Sequence, residues 1–319
     1  MALIVQKFGG SSLAGAERLQ RAAERIADTY RRGHRVVAVL SARGNTTDDL
    51  LREARGIAPE LPARESDLLL SVGEQIAVAH MAILLHRMGL PVEALTGRQA
   101  GVLTDRVFGD ARILEVRTER ILRALEEGRI VLVTGFQGIT EDGEITTLGR
   151  GGSDTTAVAL AAWLKADVCR IFTDVDGVYT ADPRILPEAK KLSAVSYADM
   201  LEMAAQGAKV LHDRSVELAM AHGLVFEVCS SFHDAEGTLV GPAESADFCG
   251  VAVRQEGEPA AVSLIGAACS REETFEQALR VLEPYAVQGA ALRERCVTAY
   301  LPKEKAEAAA RALHRQFLS

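Results

Sequence analysis

Short apolar runs without a polar interruption, each emptying into a polar loop and each paired with a helical pattern, constrain this chain more than any other feature. Leu3 to Val5, Val36 to Leu40 and Ile130 to Val133 are such runs, and Val168 to Phe172 and Leu224 to Val228 read as further strands. Strands of this kind need apolar cover on both faces, and their alternation with helices predicts an α/β chain with a mostly parallel sheet. Ligands of such sheets bind beyond the carboxyl ends of the strands. Between the first two runs, Leu19, Ala23, Ile26 and Tyr30 recur at helical spacing, and Arg31-Arg32-Gly33 closes the helix. Lys7-Phe8-Gly9-Gly10-Ser11-Ser12 reads as the loop after the first strand and Ser41 to Asp48 as the loop after the second, so Lys7 and Ser41 fall where a ligand is expected.

The stretch Thr146 to Ala157 is the strongest chemical signal. Gly149, Gly151 and Gly152 let a backbone approach a ligand closely, and the alanine-rich run to Lys165 predicts a helix opened by the loop and capped by Ser153 or Asp154. A helix N-terminus of this kind favours an anion, most often a phosphate. Neither the Walker nor the dinucleotide fingerprint is matched, and the loop carries Arg150 and Asp154 instead. A tight turn with surface charges is the bland alternative.

The remaining elements are read as follows. Ser66 to Met88 is one long apolar helix, within which Glu74 is either near the surface or held by a ligand or partner. Pro91 to Leu95 is a strand, Ala111 to Glu127 a helix, and Ile139 to Leu148 a hairpin leading into the glycine loop. Thr173 to Arg184 is dense in turn residues, but its spacing does not fit a calcium loop. Ser196 to Asp199 matches a capping box, and Val210 to Ala221 a helix. From about Asp247 a small α+β module follows, with strands Gly250 to Arg254, Ala261 to Ile265 and Arg295 to Tyr300 and helices Glu272 to Leu282 and Lys303 to Phe317.

Composition removes several classes. The 319 residues, with 36 Lys and Arg against 44 Asp and Glu, carry a net charge of -8, which gives no footing for nucleic acid. Cys169, Cys229, Cys249, Cys269 and Cys296 are odd in number and far apart, as expected of reduced thiols in a cytoplasmic protein. No signal peptide is expected at the N-terminus, and the apolar stretch Leu68 to Leu90 is broken by Glu74, His80, His86 and Arg87, as a buried helix and not a membrane span would be.

The chain resembles the amino acid kinase family, and within it the aspartate kinases, through motifs in the family's order: Lys7 to Ser12, Ser71-Val72-Gly73-Glu74, Gly149 to Asp154, Phe172 to Arg184 and Gly207 to His212. The resemblance implies a three-layer kinase domain over 1–245 and an ACT-like regulatory domain over 246–319. It implies ATP-dependent phosphorylation of the side-chain carboxylate of L-aspartate, with Mg2+ but with no protein ligand assigned to the metal. Lys7, Asp154 and Lys209 would be catalytic, Asp154 holding Lys7. Arg150 would grip the substrate α-carboxylate and Glu74 its ammonium, with Ser11, Thr47 and Ser153 completing the pocket. Gly9, Gly10, Ser41, Gly44, Thr173, Asp174, Tyr179, Asp182 and Arg184 would serve the nucleotide. Arg43 stands where the family's Ser-Ala-Met-Gly has methionine, Asp213 where it has proline and Cys229 where it has arginine. The tail has room for one ACT-like unit where the family usually carries two, so a homodimer and weak inhibition by lysine and threonine are expected. A kinase for another small acid, or a non-catalytic sensor of the same fold, is the alternative.

Overall fold

The computed structural model describes residues 1–208, 210–242 and 246–318. It divides into two compact units, Met1–Asp176 with Leu224–Ala235, and Gly177–Gly223 with Glu236–Ser319.

In the first unit six parallel strands stand in the order Phe226–Ser230, Val168–Thr173, Leu3–Phe8, Arg35–Leu40, Ile130–Thr134 and Val92–Leu95. Alternation along each strand sends side chains to opposite faces. Val36, Ala38 and Leu40 join Ile26, Met81 and Leu85 in one core, beneath the helices Gly15–Arg31 and Val72–Arg87. Val37 and Val39 are equally buried on the other face, where the helix Gly152–Trp163 runs. Both faces are therefore covered, as the unbroken apolar runs require. A smaller sheet, ordered Ile113–Val116, Val102–Thr104, Gln137–Ile139 and Ile145–Thr147, contains the expected hairpin and leads the chain into the glycine loop.

Three expectations for this unit are corrected. Lys7 and Phe8 belong to the first strand, which extends to Phe8, and the loop begins only at Gly9. The long helix is two, Ala63–Leu70 and Val72–Arg87, because the Ser71 carbonyl accepts a hydrogen bond from Gln137 Nε2 at 2.7 Å and the Ser71 hydroxyl donates back to the Leu68 carbonyl at 2.8 Å. Glu74 consequently lies in the first turn of a helix instead of in its middle. The helix expected over Ala111 to Glu127 is a strand, Ile113–Val116, followed by a short helix, Glu119–Glu126. Antiparallel pairing with Val102–Thr104 overrides the helical spacing there.

The second unit holds a parallel pair, Ala194–Ser196 with Thr238–Gly241, and an antiparallel sheet ordered Gly250–Arg254, Ala260–Ile265, Cys296–Leu301 and Gly289–Arg293. The last of these strands is an addition to the sequence reading. Helices Glu272–Leu282 and Ala306–Phe317 pack with this sheet. The capping box is present, with Ser196 Oγ accepting the Asp199 N–H at 3.0 Å, while the next helix is Asp213–His222, starting later than expected.

Within the second unit, segment 177–223 packs with the tail. Ala181 and Leu186 share one apolar core with Val262, Leu282, Val297 and Leu313 of the tail. Arg295 Nη2 donates to Asp199 Oδ1 at 2.6 Å, Ser263 Oγ to Gln206 Oε1 at 3.0 Å, and the Val251 N–H to the Thr180 carbonyl at 2.7 Å. Segment 177–223 is thus built together with the tail.

Candidate active site

In the first unit a cavity of about 300 Å³ is lined by Lys7, Gly10, Ser41, Ala42, Gly44, Thr47, Glu74, Phe136 and the loop Gly149 to Asp154. Lys7 and Ser41 enter it from the carboxyl ends of adjacent strands, as the topology predicts. Thr47 stands in the first turn of Thr46–Ile57. The Gly44 N–H donates to the Gly10 carbonyl at 2.9 Å, and a Cβ on Gly10 would meet the Ala42 carbonyl at 2.7 Å, so no larger residue fits where these two loops close.

The glycine loop starts its helix differently from the expectation. Gly151, left-handed at φ 73°, is the N-cap, and no side chain caps the helix. Ser153 and Asp154 lie in the first turn instead. Lys7 Nζ stands 2.6 Å from Asp154 Oδ1, both groups largely buried, and Asp154 also benefits from the positive end of the helix. The ammonium is thereby fixed at the cavity wall. Arg150 is exposed at the same loop and lines the cavity with a planar donor set.

Glu74 lines the same cavity. Only 3% of its surface is exposed; Oε1 accepts the Ala42 N–H at 2.9 Å, while Oε2 is buried with no partner. Burial raises the carboxyl to about 7, the Ala42 hydrogen bond opposing it. Arg43 is turned from the cavity by hydrogen bonds from Nε to the Leu13 carbonyl at 3.0 Å and between Nη1 and His80 Nδ1 at 2.9 Å.

Other expected site residues are placed outside this wall. Ser11 belongs to the one-turn helix behind Gly10, and the Gly9 N–H donates to the Phe172 carbonyl at 3.2 Å. Thr173 ends the neighbouring strand and its hydroxyl donates to Asp174 Oδ1 at 3.1 Å. Tyr179, Asp182 and Arg184 are in the second unit, where Arg184 clamps both oxygens of Asp182 and holds its carboxyl below the usual range. Lys209 lies outside the described residues.

Two contributors were not foreseen. Phe136, at φ 69°, forms part of the wall, and its N–H donates to Thr156 Oγ1 at 3.1 Å. Asp67, 1% exposed, accepts from the Thr147 N–H at 2.8 Å, the Thr147 hydroxyl at 2.6 Å and the Gly109 N–H at 2.9 Å. It anchors the strand from which the glycine loop departs. The aspartate is visible in the sequence, but its partners are not local to it.

A cavity with a fixed ammonium, an exposed guanidinium, a helix N-terminus and an unpartnered buried carboxylate can hold a zwitterion and an anion side by side. The sequence model of the amino acid kinase family matches residues 2–230. The chain is 52% identical to an aspartokinase of Mycolicibacterium smegmatis over 273 residues, 83% of this chain and 64% of that protein. It is 53% identical to one of Thermus thermophilus over 240 residues, 75% of this chain and 59% of that protein. The chain thus spans about three-fifths of the length of these curated relatives. Among solved structures, E. coli aspartokinase III in complex with aspartate and ADP shares the fold at a TM-score of 0.85 and 23% identity, over 99% of this chain and 100% of that one. Aspartate kinase from Synechocystis matches at a TM-score of 0.69 and 31% identity, over 99% of this chain and 69% of that one.

Proposed function

We propose that this chain, which belongs to the amino acid kinase family, is an aspartate kinase that transfers the terminal phosphoryl group of ATP to the side-chain carboxylate of L-aspartate. The observation that carries the reading is Glu74 Oε2, a buried carboxylate oxygen with no partner in a cavity whose rim bears Arg150. A substrate ammonium supplies the missing donor to Glu74, and its α-carboxylate matches the Arg150 fork. The substrate's second carboxylate is then left for reaction.

A side-chain carboxylate oxygen attacks the terminal phosphorus, the bond to the bridging oxygen breaks, and ADP departs with that electron pair. The attacking group is already ionised, so the step requires no general base. What it requires is alignment of two anions and neutralisation of their charge. Lys7, held by Asp154, supplies a cation at a fixed point, and the start of Gly152–Trp163 supplies backbone N–H groups and a positive dipole end. Ser41 and Gly44 border the transfer site.

Among the described residues no group of three or more His, Cys, Asp or Glu side chains converges as a metal site. The two carboxylates of the cavity are Glu74 and Asp154, and this sparse donor set fits a Mg2+ ion that arrives on the nucleotide with phosphate and water ligands. When bound, the ion neutralises phosphate charge. The nucleotide assignments of Gly9, Gly10, Thr173, Asp174, Tyr179, Asp182 and Arg184, and the catalytic role of Lys209, belong to the same proposal.

We further assign 246–319 to an ACT-like domain, supported by the strand, helix, two strands and helix of 260–317. A homodimer is supported by the exposed edge strand Gly289–Arg293, a template for a second chain. Five free cysteines support the cytoplasm. The test is purified protein with ATP, Mg2+ and a panel of amino acids, the acyl phosphate trapped with hydroxylamine. Aspartate should give the trapped product, and turnover of another acid in its place would overturn the substrate assignment.

A further inference from the structure

A second cleft, of about 560 Å³, lies within the second unit and is lined by Pro187, Glu188, Lys190, Arg311, His314 and Arg315. It carries three permanent cations against one carboxylate. His314 is 2% exposed, and its Nε2 lies 2.8 Å from Thr180 Oγ1. That hydroxyl also accepts the Lys190 N–H at 2.9 Å, so Thr180 engages Nε2 and leaves Nδ1 as the ring's remaining polar atom. Nδ1 is buried and has no partner. Burial holds His314 below its ordinary pKa, with Glu188 opposing and Lys190 reinforcing the effect.

Arg311 repeats the pattern. Its Nε lies 3.4 Å from Glu188 Oε1 but without hydrogen-bond geometry, a buried donor left unsatisfied. Buried polar atoms without partners are costly, and two of them on residues that line one cationic cleft call for a ligand with several lone pairs. Glu188 cannot be that acceptor for His314, since no hydrogen bond joins them. Arg315, exposed, adds a further guanidinium to the lining.

We propose that this cleft is a binding site for a small oxyanion, phosphate or carboxylate, received by His314 Nδ1, Arg311 Nε and the charges of Lys190 and Arg315. The site belongs to 187–190 and the helix Ala306–Phe317, apart from the residues assigned to phosphoryl transfer.

The test follows the ring resonances of the seven histidines by proton–nitrogen correlation spectroscopy on the full chain, His314 being assigned from a His314→Asn variant. Inorganic phosphate and succinate are titrated separately, with chloride at equal ionic strength as reference. A saturable shift of His314 with either oxyanion, weakened about tenfold in Arg315→Ala, is the expected result. Response to phosphate alone identifies a phosphate or phosphate-ester ligand, and response to succinate alone a carboxylate. The proposal is overturned if His314 is silent to both, if chloride moves it equally, or if Arg315→Ala binds as tightly as the parent.

Discussion

Glu74 Oε1 receives the Ala42 N–H at 2.9 Å, and this bond and the Glu74 N–H do not offset the burial of its carboxyl, whose Oε2 has no side-chain partner. With the folded-state pKa raised from 4.5 to about 7, the group favours folding fully below its unfolded pKa, and that contribution is lost as pH rises through about 7. The loss is on the order of 3 kcal/mol. A substrate ammonium reverses the preference, so aspartate binding between about pH 5 and 7 should expel a proton. Calorimetry in two buffers of different ionisation enthalpy measures it. Glu74→Gln should abolish the release and raise KM for aspartate; undiminished release in that variant would place the proton elsewhere.

The Lys7–Asp154 pair separates catalysis from stability. Lys7→Ala should lower kcat by roughly 100-fold to 1000-fold, as removal of a preorganised charge does. It also leaves a largely buried aspartate unpaired, at about 3–5 kcal/mol. Lys7→Met with Asp154→Asn should recover much of the stability and none of the rate. Rate recovery in the double variant, read by hydroxylamine trapping beside chemical denaturation, would sink the assignment.

Arg150 is exposed and needed by no buried neighbour, so Arg150→Ala should leave the melting temperature close to that of the parent. Aspartate use should weaken tenfold to a hundredfold, the roughly 1.5–3 kcal/mol of a charged hydrogen bond, with KM for ATP little changed. An effect on ATP alone would move the arginine to the phosphate site.

Asp67 never lines the cavity, yet Asp67→Ala strands three donors from Thr147 and Gly109. Destabilisation of about 3 kcal/mol or more is expected in urea, together with a fall in kcat/KM as the glycine loop loses its anchor. Full activity in a destabilised variant would confine Asp67 to folding.

The parts legible in the sequence were those written locally. Lys7, Glu74, Arg150 and Asp154 stood out as charges in apolar or glycine-rich surroundings, and all four line one cavity. The central strands Leu3–Phe8, Arg35–Leu40 and Ile130–Thr134 were legible because they are buried on both faces. The break at Ser71 was hidden, since Gln137 that makes it is 66 residues away. Ile113–Val116 owes its form to a partner strand, and Asp67 meets Thr147 across 80 residues. Gly151, left-handed, starts the helix two and three residues ahead of the expected caps, a backbone conformation the sequence pattern does not spell out.

The buried bonds from Asp199 to Arg295 and from Ser263 to Gln206 bear on how this architecture can recombine. A crossover near residue 245 looks like a natural seam, but it would marry half of one core to a stranger's other half. Viable chimeras should therefore inherit 177–223 and the tail from the same parent, and any drift in the surface of one must be matched in the other.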